Sequence, residues 1–294
     1  MMLVTALLLM GIIVLHAGDR DIDSYGGQLQ PEKSSRIRLV REDLSFVFQR
    51  DSTRFNMIDV RADHVFINDG PASTIGIGFV CSDGRSPLTD ISILVNGKAV
   101  VVSYRQVTKR SVVKGMRVDS GDHVYHFTAR MVRGRNTIEQ RSAKEANGSV
   151  YHSRMIGYQM SSGTGWAGGV IDTFTLSIDV GMIGDQRLLM VPAELSELPA
   201  PLPWRIVGKG TVIDTICARE VWPDGERPRG DEQCPGEEVL VLICPEGRLT
   251  YTSNGFRPLR DLEVFVANEQ WLRTKAMRSA VPPPLPGALH GVPR

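Results

Sequence analysis

Charge of one sign, long apolar runs and paired metal-binding cysteines are all scarce in this chain. Its 294 residues carry 34 Lys+Arg against 33 Asp+Glu, a formal net charge of +1. That near balance excludes a nucleic-acid binder driven by bulk charge, because counterion release needs an excess of cations. No Cys-x-x-Cys pair occurs, and no histidine lies near the cysteine-rich segment, which argues against zinc. Gly-x-Ser-x-Gly, His-Glu-x-x-His and EF-hand patterns are absent too, so neither metal nor cofactor is expected.

What the chain does have is a core and many turns. Hydrophobic residues make up 42% and charged residues 23%, enough to bury a core and too apolar for global disorder. Twenty-nine glycines and seventeen prolines favour short strands over long helices.

One apolar stretch stands out. Met1 to Ala17 holds no charged side chain and is followed by Gly18-Asp19-Arg20-Asp21, as in a secretory leader cleaved at Ala17-Gly18. The stretch lacks the usual Lys or Arg near its start, so the alternative is an uncleaved anchor; it is shorter than the ~20 residues a spanning helix needs. Export implies a secreted, periplasmic or envelope location and an oxidising setting for the four cysteines. Cys217, Cys234 and Cys244 surround the polar segment 222–238, and a disulfide from Cys217 to Cys234 or to Cys244 would close it. Cys81 lies far off, either free or bonded to the remaining one.

Residues 18–35 read as a flexible lead. Beyond Arg36 the pattern alternates with period two: Ile58, Val60, Ala62, His64 and Phe66 alternate with Asp59, Arg61 and Asp63, and Phe174, Leu176, Ile178 and Val180 with Thr175, Ser177 and Asp179. Ser92 to Tyr104 reads as a hairpin around Asn96-Gly97, the pair that suits a type I′ turn. His123–Val132 and Val150–Met160 are further strands. The proline-rich stretch 191–203 reads as a linker between a domain at 36–190 and a second β segment at 204–270, which either folds alone or adds strands to the first. Strands are expected at Arg205–Cys217, Glu238–Cys244, Arg248–Thr252 and Asp261–Val266, a short helix at Asn268–Arg278, and a disordered tail at 279–294. The fold class is all-β, most simply a two-layer β-sandwich of immunoglobulin-like or jelly-roll-like kind.

The candidate chemistry is thin. Gly163-Thr164-Gly165-Trp166-Ala167-Gly168 matches G-x-G-x-x-G, but a dinucleotide site needs a helix next and the sequence offers a strand. On a strand, His123 and His126 point to opposite faces. A metal site would require His64, His123, His126 and His152 to cluster. Cys81 with a histidine could form a nucleophilic dyad only if a cleft brought them together. Arg36, Arg38 and Arg41 with Lys33 read as the wet face of a strand. Asn147-Gly148-Ser149 is a formal glycosylation sequon.

Five segments in order resemble one family: Arg36–Leu44, Val60–Gly70, Gly76–Phe79, Tyr158–Ile171 and Phe256–Leu262. Their order and wording are similar to a bacterial exported family of unknown function, domain-of-unknown-function family 4424, over about residues 36–266. The chain departs from that pattern at Val80 and at Gly168-Gly169-Val170, and the segment from Cys217 to Cys244 looks like an addition. The resemblance implies an exported β-rich protein and supplies no catalytic residue. Trp166 in its glycine setting is either a core ring or an exposed aromatic platform for a sugar or peptide. The expected role is a non-catalytic binding or structural module, its partner an envelope protein or glycan and its only membrane contact an uncleaved leader; the rival is a secreted hydrolase with an unrecognised site.

Overall fold

Alternation of wet and dry side chains sets the architecture. The computed structural model describes residues 24–27, 29–31, 36–49, 57–81, 87–113, 116–118, 120–146, 152–160, 165–179, 188–197, 204–221 and 238–280. The chain opens with β1 (Ser24–Gly27) and β2 (Gln30–Pro31), then the long pair β3 (Ile37–Phe48) and β4 (Met57–Asn68). Next come β5 (Ser73–Cys81), β6 (Thr89–Val95), β7 (Lys98–Ala99), β8 (Ser103–Gln106), β9 (Ser111–Val113) and β10 (Met116–Val118). β11 (His123–Met131), β12 (Gly134–Glu145), β13 (His152–Gln159), β14 (Ile171–Asp179) and β15 (Leu188–Pro192) follow. The described strands end with β16 (Trp204–Cys217), β17 (Glu238–Phe256) and β18 (Leu262–Ala267), ahead of the helix α1 (Glu269–Ala280). The all-β expectation therefore holds.

Twelve strands form one mixed sheet, ordered β1-β13-β18-β15-β17-β14-β3-β4-β12-β6-β7 with β16 also paired to β17. A four-stranded sheet runs β2-β5-β11-β8, and β9 pairs with β10. The large sheet folds back on itself. Phe46 on β3 and Tyr158 on β13 lie five strand steps apart, about 24 Å in a flat sheet, yet their ring centroids are 5.8 Å apart. The fold-back runs through β17, whose residues 239–243 pair with β15 and 248–256 with β14. Between them Gly247 has φ +136°, and a Cβ there would meet the Val207 carbonyl oxygen at 2.4 Å, so no side chain fits. Arg248 to Thr252 is thus not a separate strand but the continuation of Glu238 to Cys244.

The inner residues of both sheets share one buried cluster, including Leu44, Phe46 and Phe66 from the large sheet and Ile77, Phe79 and Phe127 from the small one. A second cluster lies on the other face of β13, β15 and β18, where Met190, Phe265 and Trp271 meet. Trp271 is carried by α1, whose first turn is capped by Asn268: its Oδ1 accepts from the N–H groups of Gln270 (3.0 Å) and Trp271 (3.2 Å).

Some expectations need correction. The lead is not wholly flexible: β1 pairs with β13, β2 pairs with β5, and Leu29 is fully enclosed. An apolar side chain between two short pairing segments holds this stretch to the body. The proline-rich stretch is not simply a linker, because Val191 and Pro192 complete β15, which runs beside β17 and β18. In the Ser92–Tyr104 hairpin the Asn96-Gly97 turn forms with φ +50° and +74°, but β7 lasts two residues and β8 crosses to the small sheet. The tail beyond Ala280 and the sequon lie outside the described residues.

Candidate functional site

The face of β3, β4, β12 and β6 turned away from the core carries a charged groove of about 600 Å³, lined by Ser45, Val47, Asp59, Arg61, Asp90 and Arg141 among others. Register builds it. Asp43, Asp63 and Glu139 form one row across three strands, Ser45, Arg61 and Arg141 the next, and Val47, Asp59 and Ala143 the third. Carboxylates and guanidiniums thus alternate down the sheet at strand period.

A bulge shapes the rim. Between the pairs Arg141–Ser92 and Ala143–Thr89, β12 spends one residue and β6 spends two. The extra residue bends β6, and Asp90 takes φ +51°, a left-handed conformation that few non-glycine residues adopt. Thr89 fastens the bulge by donating its hydroxyl to the Ala143 carbonyl at 3.1 Å. Asp90 is thereby exposed at the groove's edge.

Electrostatics inside the groove are uneven. Arg61 donates from Nη2 to Asp63 Oδ2 at 2.7 Å, and that carboxylate, first through the hydrogen bond and then through its charge, raises the guanidinium's pKa further. Asp59 accepts from Gln49 Nε2. Arg141 faces Arg61 directly across the strand pair, and its guanidinium has no hydrogen bond or ion pair among the described residues. Two like charges at opposed strand positions repel. An acidic group seated between them would relieve that cost and gain charge-assisted, bidentate hydrogen bonds.

The residues singled out in the sequence fall elsewhere. Trp166 is not an exposed platform: only 3% of it is accessible, and Nε1 donates to the Leu29 carbonyl at 2.6 Å. Its ring meets Phe66 at 4.5 Å. The glycine-rich turn leads straight into β14, so no helix N-terminus is available for a dinucleotide phosphate. The histidines are dispersed. His64 sits on β4 with Nε2 3.6 Å from Glu42 Oε1, and His152 on β13 bonds the Val221 carbonyl at 3.0 Å. Among the described residues no group of three His, Cys, Asp or Glu side chains is arranged to hold a metal. Ala17, Gly18 and Cys234 lie outside the described residues, as does the side chain of Cys244.

Cys81 and His123 do come together, at opposed positions of β5 and β11. His123 Nδ1 bonds the Tyr104 hydroxyl at 2.8 Å, and Lys144 Nζ donates to Cys81 Sγ at 3.4 Å. Burial pushes the neighbouring Tyr125 hydroxyl well up, opposed by the Leu88 N–H that donates to it. Cys81 is fully enclosed, however, and no substrate can reach its sulfur. That removes the geometric basis for a Cys-His hydrolase at this position. Sequence reading passed over the groove itself. The signal was present in Arg61 and Arg141, but their opposition depends on the β4–β12 register, which no local pattern gives.

No family model matches the chain, and no curated protein matches it. Among solved structures it is similar to a protein described as a "putative nutrient binding protein" from Legionella pneumophila subsp. pneumophila str. Philadelphia 1. The identity is 14% and the TM-score 0.57, covering 88% of this chain and 75% of that one.

Proposed function

We propose that this chain is an exported, non-catalytic binding module of the cell envelope or exterior, and that the charged groove is its ligand site. The observation that carries this reading is the opposition of Arg61 and Arg141 in an open groove of ligand size. Further support comes from the leader-like first seventeen residues, from the motifs similar to the unknown-function exported family, and from the fold shared with a protein described as nutrient binding. We read the fold-back of the large sheet, with the four-stranded sheet beside it, as the two layers of a β-sandwich. The ligand is a small acidic molecule, with Arg61 and Arg141 holding its anion. Thermal melts of the mature chain with glutamate, citrate, phosphate and glucuronate test this. At least one should raise the midpoint, since a ligand at a hundred times its Kd adds about 2.7 kcal/mol to stability. Arg141→Ala should weaken that ligand about tenfold or more, the cost of one charge-assisted contact. A panel that moves no midpoint, or a shift untouched by the substitution, would remove the groove as the site.

For the export-linked cysteines we infer a Cys217–Cys234 disulfide. Cys217 lies opposite Glu238 in the β16–β17 register, and Cys244 sits six residues further along β17. Those six residues span about 20 Å, beyond the ~7 Å that a disulfide tolerates between Cα atoms. Non-reducing peptide mapping should return the 217–234 pair, and a 217–244 pair would contradict the register.

A further inference from the structure

We propose that Cys81 and Lys144 form a covalent cross-link through a bridging oxygen, made from dioxygen and reversed by reductant. Lys144 on β12 is 1% accessible and Cys81 at the end of β5 is 0% accessible. A lysine so enclosed is rare unless a specific partner holds it. Here its amine is aimed at a sulfur: Nζ donates to Cys81 Sγ at 3.4 Å, across 63 residues of chain and between the two sheets.

Enclosure selects the chemistry. Disulfide exchange needs an attacking or attacked sulfur to approach in line, and the walls around Cys81 exclude any molecule of that size. Dioxygen is small and apolar, the kind of guest a dry interior admits. The thiol is the most oxidisable group present, and where the amine beside it is oxidised in the same event, one atom of the dioxygen is left between sulfur and nitrogen. Among the groups around the thiol, Lys144 presents a nucleophilic amine within hydrogen-bond reach. An ammonium beside a thiolate has the same atoms as an amine beside a thiol, so the starting protonation state does not alter the balance.

The step is written as thiol plus primary amine plus dioxygen giving S–O–NH plus water. One S–H bond, one N–H bond and the O–O bond break; one S–O and one O–N bond form, and both released hydrogens leave in water. Sulfur gives up two electrons and nitrogen two, and dioxygen takes all four. Excess dithiothreitol returns the four electrons, restores thiol and amine, and releases the bridging oxygen as water. The cross-link ties β5 of the small sheet to β12 of the large sheet through the interior, a strap that no disulfide at this sealed position could supply.

Mass spectrometry of the purified wild-type chain tests this without depending on any variant's fold. Peptide mapping after aerobic purification should recover the Cys81 and Lys144 peptides as one linked species, about 14 Da heavier than their sum (one oxygen gained, two hydrogens lost). Dithiothreitol should split it, and in the aerobic sample Cys81 should resist alkylation after denaturation. Lys144→Arg and Cys81→Ser should each abolish the linked species. The proposal is overturned if aerobically prepared protein gives a freely alkylatable Cys81. Recovery of Cys81 only as sulfinic acid or in a disulfide would also overturn it, as would a linked species that persists in Lys144→Arg.

Discussion

Trp166→Ala should destabilise the protein by about 3–5 kcal/mol, the cost of deleting a large ring from a packed core. Three contacts are lost together. The ring leaves a void against Phe66. The Leu29 carbonyl loses the indole donor. Leu29, itself fully enclosed, loses a contact that works beside the β1–β13 and β2–β5 pairings to hold residues 24–31 to the body. Trp166→Phe separates these effects in part, because it keeps a ring over Phe66 while removing the donor and the indole's second ring, for about 1–3 kcal/mol. The backbone of the turn should survive both changes: Gly168 and Gly169 supply its positive φ values, and Ala167 donates to the Ile37 carbonyl at 3.0 Å. Urea melts of the two variants check this. A loss below about 1 kcal/mol for Trp166→Ala would mean that the ring is not core. Ligand affinity gives an independent readout. Trp166→Phe should leave the groove's ligand-induced midpoint shift intact, whereas a ring that touches ligand would not.

How much of this was legible in the sequence depends on whether a feature is local. β4 was readable because Ile58, Val60, Ala62, His64 and Phe66 keep one phase along an unbroken strand. The Asn96-Gly97 turn was readable because its geometry is demanded by two adjacent residues. β3 was harder. Ile37 and Leu39 point inward, but so do Leu44, Phe46 and Phe48, on the other parity. A register shift between Leu39 and Arg41 absorbs the extra residue. The phase break was visible in the sequence, yet its cost was not: it draws Glu42 into the core opposite His64 and raises the Tyr158 hydroxyl through burial and then Glu42's charge. The groove, the Cys81–Lys144 contact and the fold-back of β17 depend on residues brought together from distant parts of the chain, such as Arg61 with Arg141 and Cys81 with Lys144, or on a bend at Gly247. Such pairings follow from whole-sheet order, which period-two patterning leaves open.

The second large effect should appear on acidification. His152 lies in the smaller core, where its Nε2–H donates to the Val221 carbonyl at 3.0 Å and its ring faces Phe265 at 5.0 Å. Trp271 Nε1 donates to the same carbonyl at 2.9 Å, so imidazole, 3-10 turn and α1 meet at one oxygen. Burial lowers the histidine to about 4, opposed by the bond to Val221. In the unfolded chain it titrates near 6.5. Between those two values the unfolded state binds more protons than the folded one. The neutral ring's contribution is therefore complete above pH 6.5, declines as pH falls toward 4, and is gone below it. The whole interval corresponds to about 3 kcal/mol, of which about 2 should be lost by pH 5. His152→Gln keeps an amide donor for Val221 but cannot titrate, so the difference in stability between wild type and variant should shrink by about 2 kcal/mol from pH 7 to pH 5. Taking the difference cancels the carboxylates that both proteins share. Urea melts at pH 7, 6 and 5 supply the readout, and parallel slopes for the two proteins would show that His152 is not the group that makes this core sensitive to acid.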